Sequence, residues 1–98
     1  MTAAAPTAAP AGVLDRAFDL SPGVSVRPES FGALLYHFGT RRLSFLKDPR
    51  LLAVVQRLPS SASAREACLS AGLAADELPA YARALTTLVD TDMIKERT

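Results

Sequence analysis

The sequence holds one cysteine, one histidine and no tryptophan among 98 residues. A single thiol, Cys68, cannot close an internal disulfide, so nothing in the chain marks an oxidising compartment. His37 and Cys68, with carboxylates scattered along the chain, do not make a clustered ligand set, and no resident metal is expected. A surplus of one charge is also missing. The formal net charge is +1, which gives no general attraction to nucleic acid or to an anionic membrane. The longest apolar run, Leu51-Leu52-Ala53-Val54-Val55, is far too short to span a bilayer. There is no glycine-rich phosphate loop, no nucleophile elbow and no paired-carboxylate signature. His37, between aromatics, reads as a structural strand histidine. Cys68, between small residues, reads as a buried hydrophobe. The chain is not expected to be an enzyme, nor to carry a cofactor.

What is present suits one small globular domain. About half of the residues are hydrophobic, and the length allows one core but not two. A core of this size buries roughly two-thirds of the unfolded chain's surface, which leaves little for a deep pocket. Residues 1–12 are rich in Ala and Pro and offer no large side chain to bury, so they read as a flexible leader. They lack the charged start and apolar core of a signal peptide, and a cytoplasmic location is expected. The domain is expected over residues 13–95, with a frayed tail at 96–98.

Three strand signals come first. Val24 to Arg27 alternates apolar and polar between Pro22-Gly23 and Pro28. Ala33 to Phe38 is a continuous apolar and aromatic run, and Gly39, free to take positive φ, leads a tight connection into Arg42 to Leu46. Short connections favour an antiparallel meander. The period changes at Asp48-Pro49, an N-cap followed by proline at the first helical position, and Pro59 stops that helix. Ser63 and Glu66 form a capping box for a second helix, which Gly72 ends and onto which Leu73 packs back. Asp76-Glu77 opens a third helix, with Leu78, Tyr81, Ala82, Leu85, Leu88 and Val89 as its apolar stripe, running to about Thr91. Met93 and Ile94 then pack back. The expected fold is α+β and winged-helix-like: a three-stranded antiparallel sheet followed by three helices that cover one of its faces.

The last two helices resemble a helix-turn-helix, which makes a winged helix-turn-helix DNA-binding regulator the alternative reading. Charge argues against it. From Ser60 to Asp92 only Arg65 and Arg83 are basic, against Glu66, Asp76, Glu77, Asp90 and Asp92. Phosphate contacts need cations. The third strand points elsewhere. It is the edge of the meander, its row of N–H and C=O groups is unpaired, and Leu43, Phe45 and Leu46 leave neither face polar. Arg41, Arg42 and Lys47 flank the strand without interrupting it. Such an edge suits addition of a peptide strand. It equally suits self-association, or its apolar residues belong to the core.

Phe18-Asp19-Leu20-Ser21-Pro22-Gly23-Val24-Ser25-Val26-Arg27-Pro28-Glu29, with Phe31-Gly32-Ala33-Leu34-Leu35-Tyr36-His37-Phe38-Gly39-Thr40-Arg41-Arg42-Leu43-Ser44-Phe45-Leu46, resembles the peptide chaperones of mycofactocin systems. More distantly it resembles the chaperone of pyrroloquinoline quinone biosynthesis. Both belong to the recognition domains of ribosomally made, modified peptides. The likeness runs from about Phe18 to Lys95. It implies that the leader of a precursor peptide adds as a strand to Arg42, Leu43, Ser44, Phe45 and Leu46. Its side chains would settle against Tyr81, Leu85, Leu88 and Val89 of the third helix. It also implies a partner enzyme, a radical-SAM maturase to which the peptide is presented. Arg41 and Arg42 would suit acidic residues of that leader.

Overall fold

The change from strand to helix falls at Asp48. Its Oδ1 accepts a hydrogen bond from the Arg50 N–H at 2.9 Å, and Pro49 opens helix α1 (Pro49–Arg57). The carboxylate satisfies one of the helix's orphan donors, and Pro49 lacks the N–H that would otherwise have been another. Helix α2 (Ala64–Ser70) starts in a related way, with the Ser63 hydroxyl accepting from the Glu66 N–H at 3.2 Å. It ends at Gly72, where φ is +98°. The Gly72 N–H reaches the Leu69 carbonyl and the Leu73 N–H reaches the Cys68 carbonyl, so two terminal acceptors are satisfied and Leu73 is folded back into the core. Helix α3 (Leu78–Asp90) follows a 3-10 turn at Ala75–Glu77. The same double bond pattern closes it, from the Asp92 N–H to Val89 and from the Met93 N–H to Leu88, but here Asp92 holds the left-handed position at φ +62°.

These features belong to a computed structural model that describes residues 12–97. Apart from Gly12, the expected leader lies outside the described residues.

Among the described residues there are five strands: β1 (Phe18–Leu20), β2 (Val24–Glu29), β3 (Gly32–His37), β4 (Arg42–Leu46) and β5 (Ile94–Glu96). β2, β3 and β4 form an antiparallel sheet in that order, with Val24 opposite His37, and with Leu35 opposite both Val26 and Ser44. The fold is α+β, with this three-stranded antiparallel sheet and three helices. Ala33, Leu35 and Leu46 point from the sheet into the core, where Val54, Val55 and Leu58 of the α1 region and Leu85 of α3 meet them. Gly32, at φ +146°, starts β3 against the end of β4. A Cβ there would fall 1.9 Å from the Leu46 carbonyl oxygen, so only glycine lets the two strands meet.

Three local expectations change. β2 does not stop before Pro28 but runs through it, because β2 is a sheet edge and proline there breaks no ladder bond that the sheet needs. In the β3–β4 connection positive φ falls on Arg41, at +63°, not on Gly39. Gly39 is required for space instead: a Cβ would lie 2.9 Å from the His37 ring. The tail expected to fray from residue 96 is bonded as far as it is described. β5 pairs antiparallel with β1, setting Phe18 opposite Glu96, and the Arg97 N–H donates to the Ala17 carbonyl at 2.8 Å. The ion pairs Arg16–Glu96 (3.0 Å) and Asp19–Arg97 (3.5 Å) flank that pairing.

Candidate functional site

The three-stranded sheet has two edges, and alternate residues on each turn their N–H and C=O groups away from the sheet. On the β2 edge Pro28 removes a donor, and Arg27 and Glu29 pair at 2.8 Å. Proline and charge are the devices that blunt an edge. The β4 edge has neither device within its five residues except Arg42 at its start. Leu43 and Phe45 are 53 % and 59 % exposed, Ser44 is half-buried, and Leu46 is buried in the core.

Beside this open edge lies a hollow. Ser44, Phe45 and Leu46 form one wall, Ala84, Thr87 and Leu88 of α3 the other, and Leu51 of α1 the floor, around about 330 Å³. A second hollow of about 260 Å³ shares Leu51 and Ala84 with it and continues past Lys47, Asp48, Ala80 and Tyr81. Ala80, Tyr81, Ala84, Thr87 and Leu88 follow one another at steps of one, three, three and one residues and so fall on one side of α3. The two alanines put little side chain between helix and strand, and the groove occupies that space.

Of the residues singled out in the sequence, Ser44, Phe45, Leu46, Tyr81 and Leu88 line this groove. Arg41, Arg42 and Leu43 are exposed at the start of the strand. Leu85 is 0 % exposed and belongs to the core, and Val89 is half-buried outside the lining. Leu51, Ala80, Ala84 and Thr87 join the site. Their signal was weak, because alanine and threonine at the margin of an apolar stripe do not declare which neighbour they face.

Polar clasps hold the groove at both ends. At one, the Tyr81 hydroxyl donates to Asp48 Oδ2 while Asp48 caps α1. Arg50 stacks over the Tyr81 ring at 5.7 Å and pairs with Glu77 at 2.8 Å. Burial pulls the Asp48 carboxyl upward, but the bonds from Tyr81 and from the Arg50 N–H, with the Arg50 charge, outweigh it and hold the group below its ordinary value. Burial, then the bond to Asp48, push the Tyr81 phenol up to about 12. At the other end, His37 Nδ1 accepts from the Gly39 and Thr40 N–H groups at 3.0 and 3.2 Å. Nε2 therefore carries the proton and donates to Asp92 Oδ2 at 3.1 Å. The Ser21 hydroxyl also reaches Asp92, at 3.5 Å, and not His37. The three residues tie a strand to a helix end and do not activate a nucleophile. Cys68 is buried, which raises its thiol pKa, with Arg65 opposing, so it is inert. Among the described residues no group of three or more His, Cys, Asp or Glu is placed to hold a metal ion, and no helix is long and apolar enough to cross a membrane.

The geometry is that of a strand edge beside an apolar groove, and comparison with known proteins gives it a family. Residues 17–95 match the model of the peptide chaperone MftB family. The chain belongs to that family. It is 51 % identical over 83 residues to the peptide chaperone MftB of Mycobacterium tuberculosis, covering 85 % of this chain and 76 % of the relative. It is 47 % identical over 98 residues to peptide chaperone MftB of Mycobacterium ulcerans, covering 96 % of this chain and 90 % of that protein. The Mycolicibacterium smegmatis chaperone MftB is 49 % identical over 80 residues, 82 % of this chain and 78 % of the relative. No solved structure matches the chain. The match to the MftB family spans every described strand except the last residue of β5, together with both clasps and the groove.

Proposed function

We propose that this chain binds the leader of a ribosomally made precursor peptide by strand addition and presents it to a radical-SAM maturase in mycofactocin biosynthesis. The observation that carries the reading is the β4 edge, unblunted and running beside the groove floored by Leu51. An added strand takes its affinity from main-chain bonds to β4 and its selectivity from side chains set into the groove. Arg41, Arg42 and Lys47 stand at the two ends of β4 and suit carboxylates flanking the apolar part of the leader. The relatives' name, peptide chaperone, supports a peptide as the ligand.

The protein acts without turnover: the ordering of the leader is its contribution, and the iron–sulfur chemistry belongs to the maturase. A single buried thiol fits a reducing cytoplasm. Titration of the purified chain with synthetic precursor peptide, at rising salt, tests the reading. Saturable binding of the peptide that survives physiological salt, with negligible affinity for duplex DNA, is expected. Retention of duplex DNA with a steep salt dependence and no peptide binding would restore the DNA-binding alternative.

A further inference from the structure

The face of the sheet turned away from the helices is polar along one edge and apolar along the other. On β2 the outward residues include Ser25 and Arg27, set opposite Tyr36 and Leu34 of β3. On β4 they are Leu43 and Phe45, set opposite the same two residues. Both are more than half exposed. A polar outer row discourages pairing at an edge, whereas an apolar row leaves it open to a further strand. The apolarity of this face therefore follows the edge that no proline or mid-strand charge blunts, not the sheet as a whole.

At the end of this row lies an open hollow of about 390 Å³, walled by Phe31, Phe45 and Lys47. Phe31 stands in the turn between β2 and β3, and its ring is tilted 60° to that of Phe45, with centroids 6.3 Å apart. The hollow is separate from the groove but shares residues with it. Phe45 also lines the part of the groove floored by Leu51, and Lys47 lines its continuation past Tyr81. The two cavities therefore meet at the β4 edge. Side chains of an added strand alternate between faces, and residues directly opposite each other share a face. Those opposite Ser44 and Leu46 turn into the groove. One opposite Phe45 turns outward, with its Cβ about 4.5–5.5 Å from that of Phe45, and reaches the hollow. A strand read from the groove alone would need an apolar residue only at every second position. This edge offers apolar partners to consecutive residues.

We infer that the hollow between Phe31 and Phe45 is a second side-chain subsite for the leader, taking one large apolar residue whose sequence neighbours enter the groove. The inference rests on the strand-addition reading and names its ligand more closely: a peptide with a run of consecutive apolar residues, held from both faces of β4. Phe31 and Phe45 are 44 % and 59 % exposed, so their rings have surface left to bury against that residue. Lys47 adds its aliphatic stem to the wall.

The test uses Phe31→Ala and Phe31→Leu, because Phe31 lines the hollow and not the groove, with circular dichroism and Tm confirming the fold. The probe is synthetic precursor leader, together with a set in which each residue of its apolar run is replaced in turn by serine. Serine at two adjacent leader positions should each weaken binding to the unmodified chain about tenfold, and Phe31→Ala should weaken binding of the unmodified leader about fivefold or more. Phe31→Leu should recover part of that loss. Against the leader variant that lacks the outward residue, Phe31→Ala should have almost no further effect, since the two changes remove one contact. Unchanged leader affinity in Phe31→Ala overturns the inference, and so does a leader sensitive only at every second position; the serine set decides even if the Phe31 variants fold poorly. A dimer of the unmodified chain that Phe31→Ala dissociates, with leader affinity untouched, gives the hollow to a second copy and overturns it too. Those outcomes leave strand addition standing. Failure of the unmodified chain to bind the leader at all refutes strand addition, and the subsite with it.

Discussion

His37 Nε2 lies 3.1 Å from Asp92 Oδ2, and that bond joins the end of the central strand to the left-handed residue that closes helix α3. Strand β4 is paired to His37 through Arg42, so the bond sets how far α3 stands from the open edge. The Tyr81–Asp48 bond does the same at the other end, and the groove is the space between the two.

Removal of the first clasp should loosen both fold and groove. His37→Ala is expected to destabilise the domain by about 1–3 kcal/mol, since it strips a bond to a carboxylate and two loop N–H groups of their acceptor. Asp92→Asn keeps an acceptor and tolerates the left-handed conformation, and should cost less. Urea denaturation measures both. A His37→Ala variant as stable as the unmodified chain would show that the clasp contributes nothing.

The second clasp has a pH signature at each extreme. Asp48 is held below its ordinary value of 3.8, so its contribution is present above that pH and is lost as pH falls through the lower folded value. The Tyr81 phenol is raised from 10.0 to about 12, so its contribution is whole below pH 10 and is lost as pH rises towards 12. Tyr81→Phe should therefore cost about 1 kcal/mol near neutrality, a low figure because the Asp48 side chain is 37 % exposed. The difference from the unmodified chain should shrink at both acid and alkaline pH. Thermal melts across the range would reveal a constant difference if the bond were unimportant.

Two neighbours on α3 should behave oppositely. Ala84 lines the groove, and Ala84→Phe fills it, so leader affinity should fall about tenfold or more while Tm changes little. Leu85 is core, and Leu85→Ala should cost about 2–5 kcal/mol of stability, with affinity reduced only through the folded fraction. Paired titration and denaturation of the two variants checks this, and the reverse pattern would move the groove to the other side of the helix.

The contrast between Ala84 and Leu85 also marks where the sequence was legible. Local chemistry announces itself: Asp48-Pro49, Ser63 with Glu66, and Gly72 each satisfy orphan groups within a few residues, and the helices begin and end at them. The bounds of β4, Arg42–Leu46, are legible because loop and cap signals enclose it. Apolar spacing told that α3 has a buried stripe, but not that its centre, Leu85, meets the core while its margin, Ala84, faces the groove. The β1–β5 pair left no pattern to read, since three-residue strands at opposite ends of the domain are defined by each other and not by periodicity. Asp92 as a helix terminator was hidden for a related reason: aspartate tolerates positive φ without requiring it.

The most direct test of strand addition is amide hydrogen exchange of the chain with and without its precursor leader. Pairing with a new strand should slow exchange at alternate amides from Arg42 to Leu46, those whose N–H groups point away from β3. The account predicts this protection on β4, together with slower exchange on the groove side of α3 around Ala84 and Leu88. Protection confined to Val24–Glu29 on the β2 edge, or peptide binding with no change on β4, would contradict it.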